Sequence, residues 1–477
     1  MSQITQPGDV TPAPIKKLPT ETLMEIFKTY AESYPEVLNQ RVVDLLLVGK
    51  DWNMVANRTP QLWTKINLSF PFAFFHLVAA HKRVRASRLQ KIDVSIDFRD
   101  PDWDSRTEDH YDRDGDIYIP GGHRWVRDIM AVLEGTEGRW RSVEVVSDAW
   151  VPLYELMHGW RTFTHLSSLE SISMKREYWT FGARNADFLP RRLALPTPLF
   201  DRNASLPKIR ELSLTGVHVA WNDASGCFQN LRKLQIVNQA HDVGPTFEQF
   251  AAMLSSSPRL EHLNVMEFCP QYHTVPNPAV GGTPEIPVVN LPALRVLIFG
   301  WKDVDLSCAF LRMFQIGDSL EYLTLVDTKS GYGDSIDPQT GGRGWAQESR
   351  EIFEVLFELG SAVPRDKDDL PSAPFISVRG LKRLSIIWAK VARHSLFPFL
   401  VTLTALERIT LEDVDENVVE DVADRWFRSP GVYRPLDHEF LWTRRGGSPD
   451  RAEALTSHLL WNKFNAKLAD RRTGKSG

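Results

Sequence analysis

One short apolar phrase recurs eight times between residues 166 and 411, and it constrains the fold more than any other feature of the chain. Its form is apolar-x-x-apolar-x-x-apolar-x-apolar, often opened by a Leu-Pro or Ser-Pro step. The copies are Leu166–Met174, Leu206–Leu214, Phe228–Ile236, Leu260–Val265, Leu291–Phe299, Leu320–Leu325, Leu381–Ile386 and Leu406–Leu411. Their second apolar positions are spaced by 40, 22, 29, 34, 26, 61 and 25 residues. The closing apolar-x-apolar pair has the period of a β-strand with one face inward. A single unit of this kind cannot bury its own apolar face, so neighbouring units must stack.

Helical spacing fills several of the intervals. Phe247, Phe250, Ala251 and Leu254 write a helix that stops near Pro258; Phe310, Leu311 and Phe314 mark another. Ile352, Phe353, Leu356 and Phe357 mark a third, and Val418, Val419, Val422, Ala423 and Trp426 a fourth. Helix alternating with strand at these intervals predicts an α/β arrangement in the form of a horseshoe or arc. Before residue 166 the phrase is faint. Leu89–Val94 and Trp140–Val145 read as degenerate first turns, and Phe72 to Arg88 as a linking helix. The array resembles the irregular leucine-rich repeats found behind fungal F-boxes, without the asparagine ladder of regular ones.

A second pattern occupies residues 16–68. It reads Leu18-Pro19-Thr20-Glu21-Thr22-Leu23-Met24-Glu25-Ile26-Phe27, then Asp44-Leu45-Leu46-Leu47-Val48-Gly49-Lys50-Asp51-Trp52, then Thr59-Pro60-Gln61-Leu62-Trp63. Leu23, Ile26 and Phe27 recur at helical spacing. Three short helices are expected, the first capped by Thr20 or Thr22 with Pro19 in its first turn. So small a unit would struggle to bury this much apolar surface alone. This stretch resembles an F-box, whose pattern is a Leu-Pro pair, an acidic residue, Ile-Phe, Leu-Leu-x-Val-x-Lys-x-Trp, then Pro and Leu-Trp. There are two departures. Gly49 stands where the family often has Cys, and would cost about 1 kcal/mol relative to Ala inside a helix. Lys28 to Asp44 is longer than the usual first loop.

The resemblance implies a binding role: docking onto the Skp-type adaptor of a cullin–RING ubiquitin ligase, with a target protein held by the rest of the chain. By that analogy Leu18, Pro19, Leu23, Ile26, Phe27, Leu45, Leu46, Val48, Trp52, Pro60, Leu62 and Trp63 make up the F-box fold and its adaptor face. Which of them point inward is left open. The fold expected is α/β, a small N-terminal three-helix F-box followed by an irregular leucine-rich-repeat α/β solenoid. Its parts would be a disordered 1–14, an F-box at 15–70, a linker helix and degenerate first repeats at 71–165, an array at 166–445, and a C-terminal helix and basic tail at 446–477. The alternatives are an F-box scaffold or a leucine-rich binding module acting outside ubiquitination.

Composition adds exclusions. A net charge of −5, from 56 basic and 61 acidic residues, argues against a nucleic-acid partner. Cys227, Cys269 and Cys308 are too far apart to write a zinc site or a disulfide framework. The first fourteen residues lack a signal-peptide core, and no apolar run approaches the length of a membrane span. A cytoplasmic or nuclear protein, without cofactor or membrane contact, is expected. No nucleophile elbow, metalloprotease motif or dinucleotide fingerprint occurs, so catalysis is not expected. Asp97 to Asp116 holds nine acidic residues and three arginines, with Phe98, Trp103 and Tyr111 interleaved. Asp112, Asp114 and Asp116 have the spacing of a calcium loop, but His123 falls where a bidentate Glu is required. The readings that stand are a solvated loop or an acidic–aromatic contact for a basic partner.

Overall fold

The computed structural model describes residues 15, 18–33, 38–70, 72, 74–100, 122–163, 165–177, 188, 190–194, 196–200, 206, 208–222, 228–268, 270–272, 286–301, 303–328, 345–361, 374–389, 393–414, 418–419, 422 and 439–443. Residues 1–14, the acidic stretch beyond Asp100 and the expected C-terminal helix lie outside them.

Three helices come first: α1 (Thr20–Glu32), α2 (Leu38–Val48) and α3 (Lys50–Asn57), with a 3-10 turn at Pro60–Trp63. Neither threonine caps α1. Pro19 takes the cap position with φ −56° and ψ 149°, and its carbonyl accepts from Leu23 N–H at 3.1 Å. The Lys28–Asp44 stretch is largely not a loop, because α1 continues to Glu32 and α2 begins at Leu38. Apolar residues continuing at helical spacing (Phe27, Ala31, then Val42, Leu45) explain both extensions. Gly49 is not helical either. It is extended, with φ 167°, between α2 and α3, so the cost of a helical glycine does not arise.

The rest is dominated by one twelve-stranded sheet. Its strands are β1 (Lys65–Ser69), β2 (Ile92–Asp97), β3 (Trp140–Ser147), β4 (Ser171–Arg176), β5 (Glu211–Thr215), β6 (Lys233–Val237), β7 (His262–Met266), β9 (Val296–Trp301), β11 (Tyr322–Asp327), β13 (Arg383–Ile387), β14 (Arg408–Glu412) and β15 (Glu439–Thr443). Every neighbouring pair is parallel, and spatial order follows chain order throughout. No reversal of strand order, of the kind that makes the crevice of a doubly wound sheet, occurs among the described strands. β8 (Val289–Asn290), β10 (Phe314–Ile316) and β12 (Phe375–Ile376) form a second, short parallel sheet. Helices α4 (Phe74–Ala86), α5 (Gly122–Leu133), α6 (Trp150–Trp160), α7 (Phe247–Ser255), α8 (Val304–Leu311), α9 (Trp345–Ser361) and α10 (Arg393–Val401) fall between strands.

The eight phrases become β4, β5, β6, β7, β9, β11, β13 and β14 in turn. Their inward residues are aligned by register: Ile172, Leu212, Leu234, Leu263, Leu297, Leu323, Leu384 and Ile409 form one continuous buried row. Ile66, Val94 and Val143 extend it to β1. The expected helix at Phe310–Phe314 is shorter than its spacing suggested, since Phe314 opens β10. There the residue is still buried, so its apolar character was right and its period misread. Helix α4 lies within the expected linking segment, and the expected Phe247 and Ile352 helices form as α7 and α9.

Just before the strands, a second regularity appears. The carbonyls of Glu170, Arg210, Arg232, Glu261, Arg295, Glu321 and Lys382 each accept two N–H groups from the next unit in the sheet, at 2.8–3.1 Å. For Glu170 these are the amides of Arg210 and Glu211; for Glu321, those of Lys382 and Arg383. Just after the strands, Gly216, Asn238, Glu267, Trp388 and Asp413 have φ between 50° and 63°. The left-handed backbone thus recurs at strand ends even where the residue is not glycine, a conformation that costs roughly 1–2 kcal/mol for an L-residue.

Two glycines separate by this geometry. A Cβ at Gly49 meets nothing within 4 Å, so Gly49→Ala is expected to leave thermal stability unchanged or raise it by up to about 1 kcal/mol. A Cβ at Gly380 would run into the Asp318 carbonyl oxygen. Gly380→Ala should therefore cost roughly 1–3 kcal/mol in denaturant melts.

Candidate functional site

The N-terminal helices carry a core of their own, separate from that of the sheet. Leu23, Phe27, Ala31, Val42, Leu45, Val55, Ala56, Leu62 and Trp63 form it. Phe27 and Trp52 rings pack at 4.8 Å. The Trp63 indole N–H donates to the Ala56 carbonyl at 3.0 Å, closing the 3-10 turn onto α3. On the sheet side, Arg83 of α4 lies over the Trp63 ring at 6.0 Å and donates to the Asn39 side chain on α2. That arginine ties the helical unit to the body.

The geometry divides the twelve residues singled out by sequence. Leu23, Phe27, Leu45, Leu62 and Trp63 are buried; Leu46, Trp52 and Pro60 are half-buried. Leu18, Pro19, Ile26 and Val48 face outward, Ile26 with 40 % and Val48 with 60 % of its surface open. Sequence reasoning missed Val43, Leu47 and Met54. All three are exposed, Leu47 by 76 %. Val43 and Leu47 are one turn apart on α2, beside the buried Val42 and Leu45, and that i, i+4 pair was the available signal. Leu18, just ahead of α1, and Ile26, Val43, Leu47, Val48 and Met54 on three adjoining helices are thus left exposed outside the core. Exposed apolar groupings of this kind mark interaction surfaces.

The sheet offers a second surface, on the face turned away from its core. Ser95, Glu144, Ser173, Ser213, Gln235, Asn264, Ile298, Thr324, Ser385 and Thr410 are register partners across β2 to β14. The face is mostly polar, with Val146 and Ile387 as half-buried exceptions on β3 and β13. Its middle strands β6, β7 and β9 hold half-buried Val237, Met266, Val296 and Ile298. Such alternation of apolar centre and polar margin suits contact with another protein.

Charged groups gather beyond the C-terminal ends of β2, β3 and β4. Arg99 holds Asp97 through Nε at 2.9 Å and Nη2 at 2.6 Å, and reaches Glu177 at 2.6 Å. Lys175 binds Glu177 at 2.9 Å. The first part of the expected acidic loop, Asp97 to Asp100, is therefore an ion-paired strand end, while Asp102 to Asp116 lie outside the described residues. Asp148 sits behind these pairs with 1 % of its surface open. Burial pushes its carboxyl up to about 6, against a backbone hydrogen bond from Asp100 at 3.3 Å that favours the charged form. Among the described residues no cluster of His, Cys, Asp and Glu could hold a metal ion. Cys308 is buried and its thiol pushed up to about 12, a poor nucleophile. Cys227 and Cys269 lie outside the described residues. Among those residues no helix is long and apolar enough to cross a membrane.

Asp148 makes a pH test of the fold. Its folded pKa lies above its ordinary 3.8, so the charged form destabilises the fold above pH 6 and this cost fades as pH falls. Asp148→Asn should be more stable than the parent by about 1–3 kcal/mol at pH 8. The gap should shrink below pH 6 and vanish near pH 4, as read from thermal unfolding across that range. Neither a protein-family model nor a curated protein matches the chain.

Proposed function

We propose that the chain is a substrate-receptor subunit of a Skp–cullin–F-box type ubiquitin ligase, with the three N-terminal helices as its adaptor-docking unit and the sheet and its loops as its target-binding body. The observation that carries this reading is the exposed apolar set Leu18, Ile26, Val43, Leu47, Val48 and Met54 on a helical unit with a separate core. The F-box-like order of residues supports it, as does the parallel sheet in chain order, which is what stacked leucine-rich repeats would build. On this reading the protein performs no chemistry. It raises the local concentration of a target beside a catalytic partner, and the gain comes from linkage.

The separation of inward from outward residues gives the test. Leu47→Glu combined with Ile26→Lys changes exposed positions and should leave stability within roughly 0.5 kcal/mol. It should abolish co-purification of the Skp-type adaptor. Phe27→Ala, by contrast, should cost about 3–5 kcal/mol and unfold the helical unit. Undiminished adaptor recovery with the exposed double variant would sink the proposal. Adaptor recovered without cullin would move the chain to the scaffold alternative.

A further inference from the structure

The loops that follow β5, β6 and β7, with the segment before β5, enclose a half-open cavity of about 570 Å³. Its size lies in the range of ligand pockets. Trp221 and Tyr272 supply aromatic walls, and Ala194, Pro196, Ala220 and Val243 aliphatic ones. The frame is firm. The Trp221 indole donates to the Val243 carbonyl at 2.7 Å, and Tyr272 packs on Phe247 with centroids 4.9 Å apart.

The polar groups say what would enter. Among the described residues lining the cavity there is no lysine or arginine. Helix α7 begins at the cavity, yet its first turn is already served. Phe247 N–H donates to the Gln271 carbonyl, Gln249 N–H to the Thr246 hydroxyl, and Gln249 Oε1 accepts from Thr246 N–H. Glu248 adds a negative charge in that turn. Asp242 contributes the only carboxylate in the described lining. It is occupied by Phe188 N–H at 2.7 Å and by Arg191, which lies outside the lining, at 2.8 Å. His218 is 3 % exposed, its Nε2 2.9 Å from the Ala194 carbonyl; burial holds it below the ordinary histidine value, hence neutral. Burial and the nearby Asp303 and Asp305 raise the Tyr272 hydroxyl, which stays a protonated donor. Among the described lining residues an anion finds no counter-charge, with Arg191 engaged by Asp242, and it meets acidic neighbours. A planar, neutral group finds aromatic walls, with the Tyr272 hydroxyl and the side-chain N–H groups of Asn222 on the exposed rim as partners for its polar edge, the Asn222 Oδ1 already accepting from Gln249.

The geometry points to a peptide-binding pocket at the ends of β5, β6 and β7 that takes an uncharged aromatic side chain, tyrosine- or tryptophan-like, from an unmodified segment of a partner protein. Described as the target-recognition element of the receptor, it rests on the function proposed above. As a pocket it stands without it. Phosphorylation of a bound tyrosine would weaken binding.

Isothermal titration of the full chain with acetyl-Ala-Tyr-Ala-amide, its phosphotyrosine form and acetyl-Ala-Arg-Ala-amide tests this. The first should bind, and both others at least about tenfold more weakly. Ala194→Trp, which fills the cavity from a half-buried wall, should weaken the tyrosine peptide by at least about tenfold while adaptor co-purification is unchanged. The inference is overturned by no binding of the tyrosine peptide, by a phosphopeptide or arginine peptide that binds as well or better, or by an Ala194→Trp chain that binds as the parent does. Should Ala194→Trp not fold, Asn222→Arg on the rim serves instead. It should narrow the preference for tyrosine over phosphotyrosine by at least about fivefold, and an unchanged preference overturns the inference. Because adaptor recovery is scored separately, loss of that contact alone counts against the receptor reading and not against the pocket.

Discussion

Everything in the body of this protein depends on one repeated hydrogen bond: a carbonyl just before a strand that accepts two amides from the next unit. The seven carbonyls from Glu170 to Lys382 fix where each strand starts relative to its predecessor. In a sheet, a slip of one residue turns every inward side chain outward. The doubled bond removes that freedom from β4 onward, and the buried row from Ile172 to Ile409 follows from it. The side chains at these positions carry charge and reach sideways: Lys91 to Glu170 at 2.5 Å, Arg232 to Glu261 at 3.4 Å, Arg295 to Glu321 at 2.8 Å and Lys382 to Glu321 at 3.2 Å. All are open to solvent on at least one side, and such surface pairs add little to stability. They suit register more than stability, since a like-charged neighbour would repel.

The N-terminal unit obeys a different economy. Its core is nine residues deep in sequence variety but small in extent, held by aromatic packing of Phe27 on Trp52 and by Trp63 against Ala56. Helices this short are marginal alone and depend on tertiary packing. With the interior filled, Leu47 and Val48 have nowhere to go but outward. The two parts of the chain thus solve burial in opposite ways. The sheet covers its units with one another, and the helical unit leaves its surplus exposed.

Much of this was legible in the sequence, and the reasons differ by element. The eight phrases were readable because strand period and turn-forming leucines coincide, and each copy became a strand. β1 was not, because Lys65–Ser69 is five residues with only Ile66 and Leu68 apolar, beside a pattern that reads as helical. The doubly bonded carbonyls were invisible, being backbone acceptors whose side chains vary between Glu, Arg and Lys. The left-handed strand ends were invisible for the same reason: Asn238, Glu267, Trp388 and Asp413 share a backbone conformation and no chemistry. On the helical unit, periodicity could name apolar residues but not sort them. Leu45 and Leu47 look alike in sequence, and only the packing of three helices decides that one is core and the other surface. The cavity beyond β5 to β7 draws on residues spread from Ala194 to Tyr272 and leaves no motif at all.

Chain-ordered stacking also bears on how the molecule comes into being during synthesis. A strand in a sheet that zigzags must await partners not yet made. Here each strand after β1 follows one of its partners in the chain, so nothing in the topology requires pairing to wait for a later strand. The helical unit precedes even that. Its exposed apolar residues would be in place while most of the sheet is still unwritten, and would stay open to solvent through that whole interval.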